Sequence, residues 1–474
     1  MIVIPSLLTK VKVGTAEIFH DHGEQEFVSL SANSQAIGPP TRDRGPLLPA
    51  FLALFLLGGQ MYLILTRGFA NVLETPFLPY CLLGTFAIHL ATRPSRFEVL
   101  TTLVLGCLLA LGFVFLRPDF RPTWPNDLAG ASSFGLASLA ALTASVVRLR
   151  GPEQREKLNT LIAGSVFIYT SLFIAFVLKL TATFHPQTYD LYLYAADAGF
   201  GIPIAAQAGV LLRRHPDLSW CCGLVYESLP LAVSLLYAYE KGGRQPLAIR
   251  VLPAFLGGGA AAYLLYNVLP AAGPVYIFGT QFPDHLPHLV QLAVQAPLKP
   301  DAPRNAVPSM HLACTLLIFW NARRLSRAAY LASALYLGLT ILATLGFGEH
   351  YVVDLVAGVP YALLLGAACA PKSASSIPER TQALAAGLAL TCAWILALRF
   401  APFAFQMGGV AWVATGATLA ICCAVQLRLE RAWATRPLSS SPDPQPESRL
   451  QPDPASVCAG AGSHSVAVDT LPLP

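Results

Sequence analysis

Two stretches decide how this chain reads: "PSMHLACTLL", Pro308–Leu317, and "GEHYVVDLVAG", Gly348–Gly358. Each sets a histidine at the mouth of an apolar run, and the second adds Asp354 four residues after His350. An acid one turn inside a membrane segment costs about 3 kcal/mol, so a functional reading is the default there. The rest of the chain says whether these runs are membrane-grade.

They are. Of 474 residues, 54% are hydrophobic and only 12% charged, against roughly 25% charged in an average soluble protein. The mean hydropathy is +0.55. A span needs about 20 apolar residues, and windows of this kind fall at 48–66, 76–92, 98–116, 128–147, 158–180, 220–239, 249–269, 309–322, 327–346, 351–370, 382–399 and 407–425. The expected fold is an all-α, polytopic transmembrane helix bundle of about twelve spans. The segment 190–212, "DLYLYAADAGFGIPIAAQAGVLL", carries Asp190 and Asp197 and is broken by glycines and a proline. It reads as an interfacial or re-entrant element.

The net charge of +5 is spread over short loops, which is a topology signal and no nucleic-acid footprint. With both termini in the cytoplasm, the inside loops hold Arg42 and Arg44; Arg93 and Arg96; Arg148, Arg150, Arg155 and Lys157; Lys241, Arg244 and Arg250; Arg323, Arg324 and Arg327; Lys372 and Arg380; and Arg428, Arg431 and Arg436. The opposite loops hold fewer cations, and both histidine motifs then face the extracytoplasmic side. The ten cysteines lie almost all in apolar runs and form no CxxC pair, so neither a disulfide framework nor a zinc site is expected. Residues 1–46 read as a disordered lead, and 426–474, rich in Pro, Ser and Asp, as a disordered tail. Between them we delimit an accessory four-helix region at 47–150, a core at 158–371 and two further helices at 382–425.

Two motifs carry chemistry. In "KPDAPRNAVPSMH", Lys299–His311, Pro308 suits the first turn of a helix, and Ser309 and His311 follow in that turn. A helix N-terminus offers free N–H groups and partial positive charge to a phosphate. Arg304 stands just outside, with a planar fork that holds two phosphate oxygens. The plain alternative is a cationic interfacial anchor with a capping serine. In the second motif, His350 and Asp354 sit at i and i+4, on one side of a helix. A carboxylate on one imidazole nitrogen makes the other a better nucleophile or base; the alternative is a packing pair that closes a helix end. Glu227 and Asn267 are polar residues in apolar runs, there either to line the site or, the favoured reading, to bond between helices, and His89 reads as a packed or interfacial histidine and not a ligand. HExxH, GxSxG and Gly-rich nucleotide loops are absent, so no metal and no soluble cofactor is expected.

"RNAVPSMH" followed by "EHYVVDLVAG" resembles the second and third motifs of the type 2 phosphatidic acid phosphatase superfamily. The likeness is to the branch that includes inositol phosphorylceramide synthases. "YNVLPAAGP" at 266–274 and "TYDLYLYAADAGFG" at 188–201 also resemble segments of that branch, so the resemblance covers roughly 158–371. It implies a six-helix lipid-phosphatase-like core. It implies that His350 is the nucleophile that takes up the phosphoryl group, His311 the general acid, Asp354 the group that orients His350, and Ser309 a phosphate contact. The phosphatase form has Lys-x6-Arg-Pro in its first motif and an arginine six residues before the third-motif histidine. Here the first spacing is missing and Thr344 holds the second position. Phosphate binding then falls to Arg304, Lys299 and the helix N-terminus, a departure that fits the phosphotransferase branch.

The expectation is therefore a metal-independent lipid phosphatase or head-group phosphotransferase in a bacterial plasma membrane. Its substrate would be a phospholipid, a sphingolipid or a polyprenyl phosphate, and its acceptor water or an alcohol. The twelve-span count also fits a transporter of lipids or small molecules with a non-catalytic His/Asp cluster, although no inverted repeat is visible.

Overall fold

The apolar runs fold as helices, and their ends follow from local chemistry. The computed structural model describes residues 47–67, 77–116, 127–243, 247–287, 296–297, 302–370 and 378–435. The expectations for the N-terminal lead, for residues 436–474 of the C-terminal tail and for Lys299 lie outside the described residues, whereas residues 426–435, expected to be disordered, continue the last helix. The helices are α1 (Leu47–Arg67), α2 (Leu78–Ala91), α3 (Arg96–Leu116), α4 (Asp127–Arg148), α5 (Gly151–Phe184), α6 (Asp190–Ala198), α7 (Ile204–Arg214) and α8 (Pro216–Glu227). They continue with α9 (Leu229–Lys241), α10 (Val251–Val268), α11 (Pro274–Phe278), α12 (Met310–Ala322), α13 (Arg327–Gly346), α14 (Val352–Ala368), α15 (Pro378–Phe400) and α16 (Val410–Thr435). Among the described residues the only strand pairing joins Gln187–Thr188 to Ala296–Pro297, antiparallel.

Among the described residues seven helices are long and apolar enough to cross a membrane, and an eighth span results if α8 and α9, bent by 53°, count as one. Four shorter apolar helices complete the set: Leu48–Tyr62, Leu78–Ala91, Met310–Ala322 and Val352–Ala368. The twelve windows expected from the sequence fall on these twelve segments. The chain is an all-α polytopic membrane protein.

Local signals set the starts. Ser326 caps α13 by accepting from Ala329 N–H at 3.1 Å, and Ser309 caps α12 by accepting from Leu312 N–H at 3.4 Å. Small residues let α2 approach its neighbours closely, as expected where lipid removes the hydrophobic drive between helices. Gly84 faces Ser234 of α9, Gly135 of α4 faces the Leu82 backbone, and Gly164 of α5 faces Thr85. One apolar cluster consequently runs from Ala53 of α1 through Leu82, Leu142 and Phe167 to Val233, Cys314 and Ile318. The first four helices pack directly against later ones.

The ends of α12–α14 differ in character. At one end, Arg250 N–H bonds Cys369 C=O at 3.0 Å, Asn321 bonds both backbone groups of Ile249, Arg380 bonds Ala367 C=O at 2.8 Å, and Arg323 pairs with Glu430. At the other end lie Ser309, His311 and His350. Helix α14 is buried along nearly its whole length. The segment 190–212 holds no helix long and apolar enough by itself to cross a membrane. It is the short pair α6 and α7, and α6 lies along the histidine end. Its Asp190 accepts from Ala272 and Gly273 N–H at 2.7–3.1 Å, and its Asp197 accepts from Val352 and Val353 N–H at 2.9 and 3.0 Å.

Candidate active site

Four chain segments meet at the histidine end, and backbone hydrogen bonds hold them there. Ala306 N–H bonds Ala271 C=O at 2.9 Å, Val275 N–H bonds Gly348 C=O at 3.0 Å, and Ser309 N–H bonds Asp354 C=O at 3.3 Å. Gly273, at φ 116°, is required at this junction. A Cβ there would sit 2.4 Å from the Glu349 carbonyl oxygen, in a conformation L residues rarely adopt. Gly348, at φ 75°, turns the chain back into the bundle just before His350.

His350 lies in that turn and not on α14. Tyr351 is the helix N-cap, and Asp354 sits three positions beyond it, accepting from Tyr351 N–H at 2.8 Å. Contrary to the expectation from the i,i+4 spacing, the two do not share one helix face, because the helix starts two residues after His350. The pair meets all the same: Asp354 Oδ2 is 3.5 Å from His350 Nδ1, an ion-pair distance without hydrogen-bond alignment. The His350 N–H is held by Thr344 C=O at 3.1 Å. The position where the resembling family carries an arginine thus supplies a carbonyl, and Thr344 itself is fully buried.

The opposite edge of the His350 ring meets Ser309: Oγ and Nε2 are 3.3 Å apart. Pro308 is not in the first turn as expected. It precedes the cap, Ser309 is the N-cap itself, and His311 is in the first turn. The His311 ring centroid lies 6.5 Å from that of His350, with the planes at 64°. His311 Nε2 and Asp354 Oδ1 are buried and have no hydrogen-bond partner among the described residues.

Burial pushes the His350 imidazole down to about 4, a shift that Glu349 and a backbone bond to Ala306 partly oppose. It is therefore neutral near neutral pH, with Nε2 able to act as a nucleophile. Glu349 is held by the Tyr276 hydroxyl, which donates to its carboxyl oxygens at 3.1 and 3.2 Å. Burial raises the Glu349 carboxyl above its ordinary range.

The structure brings Ser309, His311, His350 and Asp354 together. Arg304 stands in the same loop, fully buried. It donates from Nε to His185 C=O at 3.2 Å and from Nη1 to Ala302 C=O. Those bonds tie the loop to the end of α5. Among the described residues no three His, Cys, Asp or Glu side chains are grouped to hold a metal ion.

Residues 191–368 match a family model described as PAP2 superfamily. No curated protein and no solved structure matches the chain. The matched segment opens in α6 and closes at the end of α14, so it contains Ser309, His311, His350 and Asp354, and a match of this kind points to phosphatase or phosphotransferase chemistry.

Sequence reasoning missed several contributors. Asp190 and Asp197 were visible only as acids in an apolar stretch; each instead caps backbone N–H groups that build the site. Tyr226, just ahead of the Glu227 singled out in the sequence, stacks on His311 at 3.9 Å. Asn267 and His89 take the packing roles expected of them. Asn267 Oδ1 lies 3.0 Å from His185 Nε2, and His89 is buried, with Nε2 3.4 Å from the Thr102 hydroxyl.

Proposed function

We propose that the chain is a metal-independent enzyme of membrane-lipid phosphate esters that works through a phosphohistidine. The observation that carries this reading is the line Asp354–His350–Ser309, with Nδ1 against the carboxylate and Nε2 3.3 Å from the serine hydroxyl. His350 Nε2 attacks phosphorus, forming an N–P bond as the ester P–O bond breaks. His311 Nε2 gives its proton to the departing alkoxide. Neutral His311 then takes a proton from water or from an acceptor alcohol, whose oxygen attacks phosphorus and releases His350. Asp354 balances the positive charge that develops on the His350 ring. The Ser309 hydroxyl and the free N–H groups at the start of α12 stabilise the equatorial oxygens, with Arg304 and Lys299 supplying positive charge. Every step balances on imidazoles and fixed donors, so no metal enters.

The resemblance of the two histidine motifs supports a head-group phosphotransferase related to inositol phosphorylceramide synthases, with an alcohol as acceptor. The substrate is a phospholipid, a sphingolipid or a polyprenyl phosphate. Residues 158–371 form the catalytic core. Cationic loops at the bundle end opposite His350 support an extracytoplasmic site, by the bias of Lys and Arg toward inside loops. Purified protein incubated with radiolabelled lipids, followed by thin-layer separation, tests the reading. Free phosphate selects phosphatase and a new lipid selects transferase, each absent from His350→Ala. Equal product from wild type and His350→Ala refutes it.

A further inference from the structure

His311 does not stand alone at the mouth of α12. Its ring lies on that of Tyr226, with centroids 3.9 Å apart and planes at 14°. Phe77 touches both rings, at 5.9 Å from His311 and 6.4 Å from Tyr226, and Phe347 meets the edge of Tyr226 at 6.4 Å and 84°. These rings come from separate elements. Tyr226 sits at the end of α8, one residue before the 53° bend into α9. Phe77 stands at the start of α2, in the region that the PAP2 match leaves uncovered.

An imidazole has two soft torsions, and a general acid needs its nitrogen aimed at one oxygen. In-plane polar partners usually fix such a ring, yet Nε2 of His311 has none among the described residues. Face-to-face contact restrains the ring. A flat neighbour at 3.9 Å blocks rotation of the ring out of its plane, and offset aromatic contacts contribute about 0.5–1.5 kcal/mol beyond area. Phe77 buttresses the Tyr226 ring and holds the pair in register. The packing that brings it there is the close approach of α2 to α9 through Gly84 and Ser234.

We propose that Tyr226 is the positioning residue for His311, and that the first four helices complete the site by delivering Phe77 against the pair. The inference rests on the proposed role of His311 as general acid, and it assigns work to a region the family match does not cover. A misplaced acid should cost about 10-fold or more, within the roughly 10²–10⁴-fold that general acid catalysis contributes. The stacking needs the ring and not the hydroxyl.

The test uses the full-length protein in detergent with two substrates, a phosphatidic acid and 4-nitrophenyl phosphate. Tyr226→Phe should keep turnover on both. Tyr226→Leu and Phe77→Leu should lose about 10-fold or more on the lipid, whose alkoxide needs a proton, and little on the aryl ester, whose phenolate leaves without one. In a His311→Ala background Tyr226→Leu should have no further effect. Equal losses on both esters, a Tyr226→Phe as damaged as Tyr226→Leu, or losses that add fully to His311→Ala would overturn the proposal as a general packing defect. Turnover by His311→Ala equal to wild type would sink the underlying reading. An impaired His311→Ala beside an intact Tyr226→Leu would sink the positioning claim alone.

Discussion

Replacing Asp354 with asparagine tests the charge behind the nucleophile with little change of shape. In the free protein Asp354 Oδ2 is 3.5 Å from His350 Nδ1 and also accepts the Tyr351 N–H at 2.8 Å. When His350 takes up a phosphoryl group its ring becomes cationic, and the carboxylate then interacts with a full charge. At an effective dielectric of about 20, a pair at this distance is worth at most ~5 kcal/mol. Sharing Oδ2 with the Tyr351 N–H and the poor alignment reduce this, so about 3 kcal/mol of barrier, or roughly 10²-fold in kcat, is the expected loss. Asparagine keeps an oxygen for the Tyr351 N–H, so the start of α14 survives and the Tm should stay near that of wild type. Asp354→Ala removes the cap as well and should cost a further ~1 kcal/mol of stability. Phosphate release and a thermal melt on the same preparations separate the two effects. An asparagine variant within about threefold of wild type would show that the carboxylate does not act on His350, as would a loss accounted for by its unfolded fraction.

Four other outcomes follow from the same geometry. His350→Ala should abolish turnover on alkyl and aryl phosphates alike, because it removes the atom that attacks; a variant active on the aryl ester would remove the phosphohistidine. Full activity should persist in EDTA, and a loss restored by a divalent ion would contradict the mechanism. The acid limb of kcat/KM, which reports the free protein, should fall near pH 4. His350 is pushed down to about 4 by burial and must be neutral to attack, so it works above that pH and fails below it; a limb centred near the ordinary histidine value would show an exposed, unperturbed imidazole. Gly273→Ala should lower the Tm and activity together, since its Cβ would meet the Glu349 backbone in a strained conformation costing about 1–3 kcal/mol. Gly257→Ala, in open space on α10, should leave both unchanged.

The fold was legible because lipid makes composition decisive. Every backbone polar group in hydrocarbon must be satisfied inside its own segment, so a run of apolar residues near the right length has one solution. The twelve windows were found on that ground alone, including the short Met310–Ala322, which has too few residues to satisfy a length test. Segment 190–212 was separable for the same reason: two acids and a broken pattern forbid a span, and α6 lies along the bundle end.

The site was legible only as far as its local pieces. Ser309 as a capping residue and the approach of Asp354 to His350 follow from spacing. The error about which residues lie inside the helices followed too, because a cap and the first helical turn look alike in sequence. What spacing does not carry is how those pieces meet. Asp190 holds Ala272 and Gly273, Asp197 holds Val352 and Val353, and the glycine at 273 lets residue 349 pass within contact. The Asp190 and Asp197 bonds join side chain to backbone across 82 to 156 residues, and the donating N–H group is the same on every residue type but proline, so sequence leaves no mark of the partner. Tyr226 and Phe77 are illegible for a related reason. An aromatic residue at a helix end is ordinary in a membrane protein, and only the 53° bend after Glu227 and the close packing of α2 turn two such rings toward His311. A PAP2-like core thus explains where the histidines are, and the helices that precede it determine how firmly one of them is held.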